Sequence, residues 1–569
     1  MARSMQTAAL RRVTRAAGLV LAAVASGCGG SGGAPGSAPL PRATPGGPGS
    51  GAGTFASISI AFPGTAATGS GAARRPAYVS PSIASLAITI DGGPPAYLNA
   101  PARSGSPQTI TTVLPVSPGS HAFLLAEYDG ASGAGNLLGR VAQTNAIVAG
   151  TVNAITYTVD GQLAKILVQS VASPFVEGTI AGGVTLVGPA AQTFDAVPQD
   201  ADGNTILTPG RVPALAVTSA SPAIVASPVA GNQFTLAAPA PAASVRVTVT
   251  GSNLDNVAVT ATFQASALAA FYVADFTVQK IRVFDERGMP LTLPATAFPA
   301  LTNPMGLAYV PATTAAPGTV VVTQTSNFAA PFVQSFDLAG AAQPLGSSAF
   351  YGVESQPLFL TYAPVGAGEL ISPNYYTSSL SIFDTSGTPV TQAGGSFAGL
   401  AQPVGVAYDT DNQQIYVTNE ATNALAAYTA AGAAKGTVPT ASHPMGVVYD
   451  ANDRSLYVAS GGIGPAVLNA SPAAPGAGDP QLASVAQFSE VPAAVRNPGG
   501  FANASTTAFF TGIALDPYSK QLYVSDAGDS KIDAFTETGG AVALPAGAFS
   551  TINATSSPKA DPMAILFVP

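Results

Sequence analysis

The sequence predicts an all-β chain: two β-sandwich modules over 55–162 and 163–265, then a six-bladed β-propeller over 266–569. Three observations predict it. Short bursts of valine, isoleucine and aromatic residues are separated by glycine, proline, asparagine and aspartate along the whole length. The 61 Gly and 49 Pro leave no long stretch after residue 30 in which a 3.6-residue period could run uninterrupted. Finally, the C-terminal half repeats a single unit of four short strands, the arithmetic of a propeller blade.

Composition narrows the function. Charged residues are only 9% of the chain, but hydrophobic residues are 47%, enough to build cores, so low charge does not mean disorder here. The net charge is −8 and the 21 Lys+Arg are scattered singly, which argues against a nucleic-acid partner, since neutralising phosphates needs a basic face. One cysteine forms no disulfide framework, and two histidines argue against a multi-histidine metal centre. No cofactor is expected. No apolar run reaches the length of about 18–20 residues that spans a bilayer.

Residues 1–27 are expected to be an export signal: Arg3, Arg11, Arg12 and Arg15 precede a short apolar run over 16–25. The segment Val24-Ala25-Ser26-Gly27-Cys28 resembles the lipobox of bacterial lipoproteins. That resemblance implies a diacylglyceryl group on Cys28 and a membrane partner through the lipid anchor; the alternative is an ordinary cleaved signal with an incidental cysteine. Two acyl chains, at about 0.8 kcal/mol per buried CH2, hold a protein stably on a membrane. Residues 28–54 are Gly, Ser, Pro and Ala almost throughout and form a flexible tether.

Clean alternation marks the first sandwich, as in Ala56-Ser-Ile-Ser-Ile-Ala-Phe62 and Leu86-Ala-Ile-Thr-Ile90. The stretch from Asp129 to Asn136 reads as a glycine-rich hairpin loop; one carboxylate is too few for calcium. The second module resembles bacterial immunoglobulin-like repeats through Asp200-Ala-Asp-Gly-Asn204 and Ser244-Val-Arg-Val-Thr-Val-Thr250. Asp200, Asp202 and Asn204 have metal-ligand character, but no bidentate carboxylate follows at the spacing of an EF-type loop, so a strand-connecting turn is expected.

The repeat unit opens Pro403-Val-Gly-Val-Ala-Tyr408 or Pro444-Met-Gly-Val-Val-Tyr449. Its second strand is Ile415-Tyr-Val-Thr-Asn419 or Leu522-Tyr-Val-Ser-Asp526, and its third ends in an aromatic residue and a turn glycine. These repeats resemble the NHL and YVTN types of β-propeller. A fourth strand is expected at Ala297-Phe298, Ala349-Phe350, Ser396-Phe397 and Ala548-Phe549. The blade over 461–505 departs from the pattern, with Pro465-Ala-Val-Leu468 in place of an aromatic third strand. The chain ends on a first strand, Pro562-Met-Ala-Ile-Leu-Phe-Val568, and the repeats begin on a second strand, Phe271-Tyr-Val-Ala-Asp275, so the two should pair and close the ring.

The second strands end at Asp275, Gln324, Asn374, Asn419, Ser460 and Asp526, one polar residue per blade. Either they form a ring of oxygen ligands at one mouth, or each bonds backbone N–H groups of its own blade. Tyr375, Tyr376, His443 and the 470–505 insertion are the other candidate ligand-binding elements, since sites sit on loops and aromatic residues anchor ligands. Metal hydrolases of the gluconolactonase type need acids on the innermost strands, whose cores here carry none, and no Ser/His/Asp arrangement exists, so no catalytic residue is assigned. The expected role is recognition of a protein, peptide or glycan in the cell envelope, with a metal-dependent lactonase-type hydrolase as the other reading.

Overall fold

The computed structural model describes residues 53–62, 79–102, 108–207, 211–299, 301–313, 317–325, 332–343, 356–390, 397–461, 483–490, 495–502, 505, 507–552 and 560–569. The signal segment, Cys28, the tether up to residue 52, Ala349-Phe350, Ser396, Pro465-Ala-Val-Leu468 and most of 470–505 lie outside them. The described chain is all-β in ten sheets, its one helical element being a single 3-10 turn at Ala131–Gly133 inside the glycine-rich hairpin loop. No helix among the described residues is long and apolar enough to cross a membrane.

The N-terminal part packs a three-stranded sheet (Gln108–Pro115, Phe55–Phe62, Val152–Ile155) on a five-stranded one containing Ser85–Ile90 and Gly119–Tyr128. Alternation puts Ala56, Ile58, Ile60 and Phe62 into the shared core with Leu86, Phe123 and Leu125. A second pair of sheets, with five and four strands, encloses Phe194, Phe234 and Phe263, whose rings lie 5.4–6.5 Å apart. The Asp200 turn joins the two units. Asp200 Oδ1 accepts the N–H groups of Asp202 and Asn204, and its Oδ2 accepts the Ser80 hydroxyl at 2.6 Å.

From Ala270 onward come six small antiparallel sheets in a propeller-like arrangement. Their innermost strands are Pro304–Val310, Thr361–Ala363, Pro403–Asp409, Pro444–Asp450, Phe510–Asp516 and Pro562–Val568, and each lies beside the next, the last returning to the first. The C-terminal strand Pro562–Val568 pairs antiparallel with Ala270–Asp275, so one sheet is assembled from both ends of this region.

The Pro-x-Gly opening has a structural reason. Each such strand carries a bulge there: Pro403 pairs with Asn419, but Val406 pairs with Val417, so three steps on one strand match two on the other. The same shift occurs at Pro304/Leu307, Pro444/Val447 and Phe510/Ile513. The bulge brings the glycine against the next sheet. A Cβ on Gly405 would sit 2.1 Å from the Met445 carbonyl oxygen, so no side chain fits. The Thr418 hydroxyl completes the joint, accepting the Gly405 N–H and donating to Met445 O, both at 2.7 Å. Thr323 does the same between Gly306 and Leu358.

Two expectations are corrected. The fourth strands are not at Ala297-Phe298 or Ala548-Phe549, and Phe397 lies outside any strand. Phe298, Phe397 and Phe549 are buried turn residues with φ of 45–51°, and Phe298 and Phe549 each donate a 2.7 Å backbone bond, to Gly340 O and Gly288 O. Where a fourth strand exists it follows the third directly, as in Ala434–Pro439 and Val495–Ala502. The phenylalanines pack over the glycine turns instead, a plug that strand alternation cannot anticipate. Second, the 461–505 segment does contain an aromatic third strand, Ser484–Ser489, with Phe488 buried. The Pro/Gly/Ala-rich insertion precedes that strand, which displaced the reading.

Candidate functional site

On one face of the ring, each second strand ends, each third begins and each first begins. The second-strand end residues Asp275, Gln324, Asn374, Asn419, Ser460 and Asp526 are all buried there. Gln324 Oε1 accepts the Thr302 N–H at 2.7 Å, Asn419 Oδ1 that of Ala401 at 2.9 Å, and Asp526 Oδ1 those of Phe509 and Asp529. Asp275 accepts from Val278 N, Asp561 N and Arg282 Nε, while Asn374 donates to the Ser379 and Ser381 hydroxyls. Five of the six thereby tie the start of a first strand or the next turn to their own sheets, while the Ser460 hydroxyl is buried with no hydrogen-bond partner among the described residues. Burial pushes Asp526 up to about 6. Asp561 also rises to about 6, through burial first and then the neighbouring Asp275.

The structure does bring Tyr375, Tyr376 and His443 together, around a residue the sequence reading passed over, Glu420. Tyr375 and Tyr376 follow the strand Glu369–Asn374, Glu420 follows Gln414–Asn419, and His443 precedes Pro444–Asp450, so three consecutive sheets contribute. His443 Nδ1 lies 2.9 Å from Glu420 Oε1. Its backbone is fixed at φ 53°, its N–H donates to Asn423 Oδ1 at 3.0 Å, and its carbonyl accepts the Gly461 N–H at 2.9 Å. Asn303, Gln356 and Gln402 occupy the same left-handed position before Pro304, Pro357 and Pro403, with φ of 47–59°. The slot is therefore a repeat feature; an imidazole in it is not.

The hydrogen bond to Glu420 pushes the His443 imidazole up from its ordinary range. Tyr375 is buried, lies beside the same carboxylate and has its phenol pushed up, first by burial and then by the Glu420 charge. Tyr376 packs edge-on against it, ring centroids 5.3 Å apart, and is 50% exposed. Glu420 Oε2 is buried with no hydrogen-bond partner among the described residues. The arrangement offers an exposed aromatic face, a charged acceptor and an imidazole side by side. It can bind a polar molecule that has one apolar surface. The signal that could have found Glu420 is its slot: the residue after the second-strand end is Phe276, Thr325, Tyr375, Glu420, Gly461 or Ala527, and only Glu420 is charged.

A cleft of about 650 Å³ opens elsewhere, on the second two-sheet unit, lined by Ile166, Val168, Phe263 and Gln264 with Arg246 as its one charged residue. It presents neither carboxylate nor imidazole.

No family model and no curated protein matches the chain. Among solved structures, a nidogen/laminin complex is similar at 12% identity, covering 53% of this chain and 98% of that one, with a TM-score of 0.36. A putative 6-phosphogluconolactonase from Bacteroides uniformis is 18% identical over 48% of this chain and 81% of that one, with a TM-score of 0.34. Catalytically inactive virginiamycin B lyase from Staphylococcus aureus is 12% identical over 56% and 99%, with a TM-score of 0.32. At these identities and scores the likeness assigns no activity to this chain.

Proposed function

We propose that this is an exported binding protein, anchored through a lipidated Cys28, whose residues 266–569 form a six-bladed β-propeller of NHL/YVTN type. The two preceding units act as immunoglobulin-like spacers that hold the propeller away from the membrane. Its ligand is a component of the cell envelope, a protein, peptide or glycan, and a glycan fits the site best. The observation that carries this reading is the half-exposed Tyr376 beside the Glu420–His443 pair. A sugar ring stacks its apolar C–H face on a tyrosine while its hydroxyls donate to a carboxylate. The innermost strands supply no carboxylate before their last residues, which leaves a metal hydrolase in the channel without ligands there.

The test is a binding screen of the purified full chain against envelope glycans and, separately, envelope peptides. A glycan that binds the parent chain and loses about tenfold or more affinity, roughly 1.4 kcal/mol, with Tyr376→Ala and with Glu420→Gln supports the proposal. Binding untouched by both substitutions overturns the site. The anchor is tested separately by fractionation: Cys28→Ser should move the protein from the membrane to the soluble fraction.

A further inference from the structure

On the opposite face of the ring, three first strands, ending at Asp409, Asp450 and Asp516, turn into the second through a hairpin that opens with that aspartate. In two of these hairpins the aspartate is fully satisfied. Asp409 Oδ1 accepts the N–H groups of Asp411 and Asn412, and its Oδ2 accepts the Asn412 side-chain amide at 3.0 Å. Asp516 Oδ1 accepts from Tyr518 N and Ser519 N, and its Oδ2 accepts the Ser519 hydroxyl. The third residue after the aspartate is thus the donor that neutralises its second oxygen. In the hairpin of the Pro444–Asp450 strand that residue is Asp453, which as a carboxylate has no proton to donate.

The consequence is visible in the bonding. Asp450 is 1% exposed; its Oδ1 accepts the Asn452 N–H at 2.8 Å, but no donor among the described residues reaches its Oδ2. Glu537, from the third-strand turn of the neighbouring sheet, is brought to the same point, and no donor among the described residues reaches its Oε1 either. One oxygen from each of Asp450, Asp453 and Glu537 lies within 4.8 Å of the other two. The other oxygens are held from behind. Gln487 Nε2 and the Tyr457 hydroxyl lie 3.4 and 3.5 Å from Asp453 Oδ2, and Lys520 Nζ lies 3.9 Å from Glu537 Oε2.

We propose that Asp450, Asp453 and Glu537 form a divalent-cation site of the calcium class that clamps the sheet of Pro444–Asp450 to the sheet of Phe510–Asp516. Three carboxylates with one lysine at their edge leave about two negative charges in a half-buried gap, which a hard divalent ion cancels. Oxygens that share one calcium stand at most about 5 Å apart, twice the metal–oxygen distance, so the observed spacing fits. Carboxylate-only donors select calcium, magnesium or manganese over zinc or copper. Calcium suits best because it accepts bidentate carboxylates and irregular geometry, with water completing the shell. The site lies on the face away from Glu420 and does not depend on the ligand-binding reading.

The experiment uses the purified full chain, stripped with chelator and then titrated with calcium chloride alone. Metal analysis should find one bound calcium, and at a hundredfold excess over Kd the unfolding midpoint of the ring should rise by about 4 °C. Glu537→Gln should abolish that rise while leaving the chelated midpoint equal to or above that of the parent, because it removes repulsion. Asp453→Asn, which restores the donor found at Asn412, should do the same. A parent midpoint that does not respond to calcium, or a calcium response that survives in both folded variants, overturns the site. A midpoint that responds to acid but not to metal would mean a shared proton fills the gap, and that also overturns it.

Discussion

Removing the last strand should open the ring. A stop before Asp561 deletes Pro562–Val568, whose Met563, Ala564, Ile565 and Val568 are 0–5% exposed. Burial of Met, Ile and Val stabilises by about 1.5–3 kcal/mol apiece, so the lost apolar term alone is about 5–9 kcal/mol. The deletion also strips the partner from Ala270–Asp275, a strand buried at all six positions. It further leaves the Thr511 hydroxyl without its 2.8 Å acceptor at Pro562 O and Asp275 without the Asp561 N–H. The sum approaches the whole stability of about 5–15 kcal/mol that a domain possesses. Calorimetry of the truncated chain should show the transition of 266–569 lowered by about 10 °C or more, or absent, while that of the N-terminal units persists. A synthetic peptide of residues 561–569 added in trans should restore part of the loss. A midpoint within about 2 °C of the intact chain would refute the argument, since at this size that shift is worth only about 1 kcal/mol.

Gly405→Ala forces a Cβ to 2.1 Å from the Met445 carbonyl and should cost about 1–3 kcal/mol or more, read as a lower denaturation midpoint. Thr418→Val removes both hydrogen bonds of that joint and leaves a buried carbonyl unpaired, for about 1–3 kcal/mol in the same assay. Glu127 is fully buried between the two N-terminal units; burial, with Asp200 nearby, pushes it up to about 8 although the Ser80 N–H opposes this. The folded state then holds a proton the unfolded state releases, so stability should fall as pH rises from about 4.5 to about 8, at up to about 1.4 kcal/mol per pH unit. Glu127→Gln should flatten that slope in denaturant titrations. The raised His443 contributes stability that is present below its ordinary range and lost as pH climbs through its folded value. An NMR titration of its ring protons should show that upshift, and Glu420→Gln should abolish it.

The all-β class was legible because alternation and turn residues act locally, and the repeat because Pro-x-Gly and a Tyr-Val pair ending in Asn, Asp or Ser recur in the same order along the chain. What stayed hidden depends on contacts between sheets. Thr418 looks like any strand threonine until the Met445 carbonyl is seen across the joint. Phe298 and Phe549 are apolar residues beside alanines, which reads as strand, and only the packing over Gly340 and Gly288 shows why they turn with positive φ. The third strand Ser484–Ser489 was masked by an insertion that broke the spacing. At the candidate site, Tyr375, Tyr376 and His443 were visible singly, as aromatic and ionisable residues in loops. Their common partner Glu420 was not, because it belongs to a different sheet from each of them.

Repetition itself separates scaffold from site in this chain. The sheets share a set of problems: a bulge to start the inner strand in four of them, a polar side chain at the second-strand end in all six, and a donor for the hairpin aspartate in three. The residues that solve them recur, as Asn419 and Asp526 do, or Asn412 and Ser519, and they are bonded within the scaffold. A residue that occupies a repeated slot but cannot do the slot's work costs stability unless something else compensates. Asp453 replaces a donor with an acceptor, and Glu420 puts a charge where the other sheets carry Phe276, Thr325 or Ala527. Both leave a carboxylate oxygen in their cluster that no donor among the described residues reaches, at Asp450 Oδ2 and Glu420 Oε2. Burying such an atom costs about 1–3 kcal/mol, more when it is charged. Two costs of that kind, one on each face of the ring, are accounted for together if each oxygen meets a partner from outside the chain: a cation on one face and a hydroxyl-bearing ligand on the other.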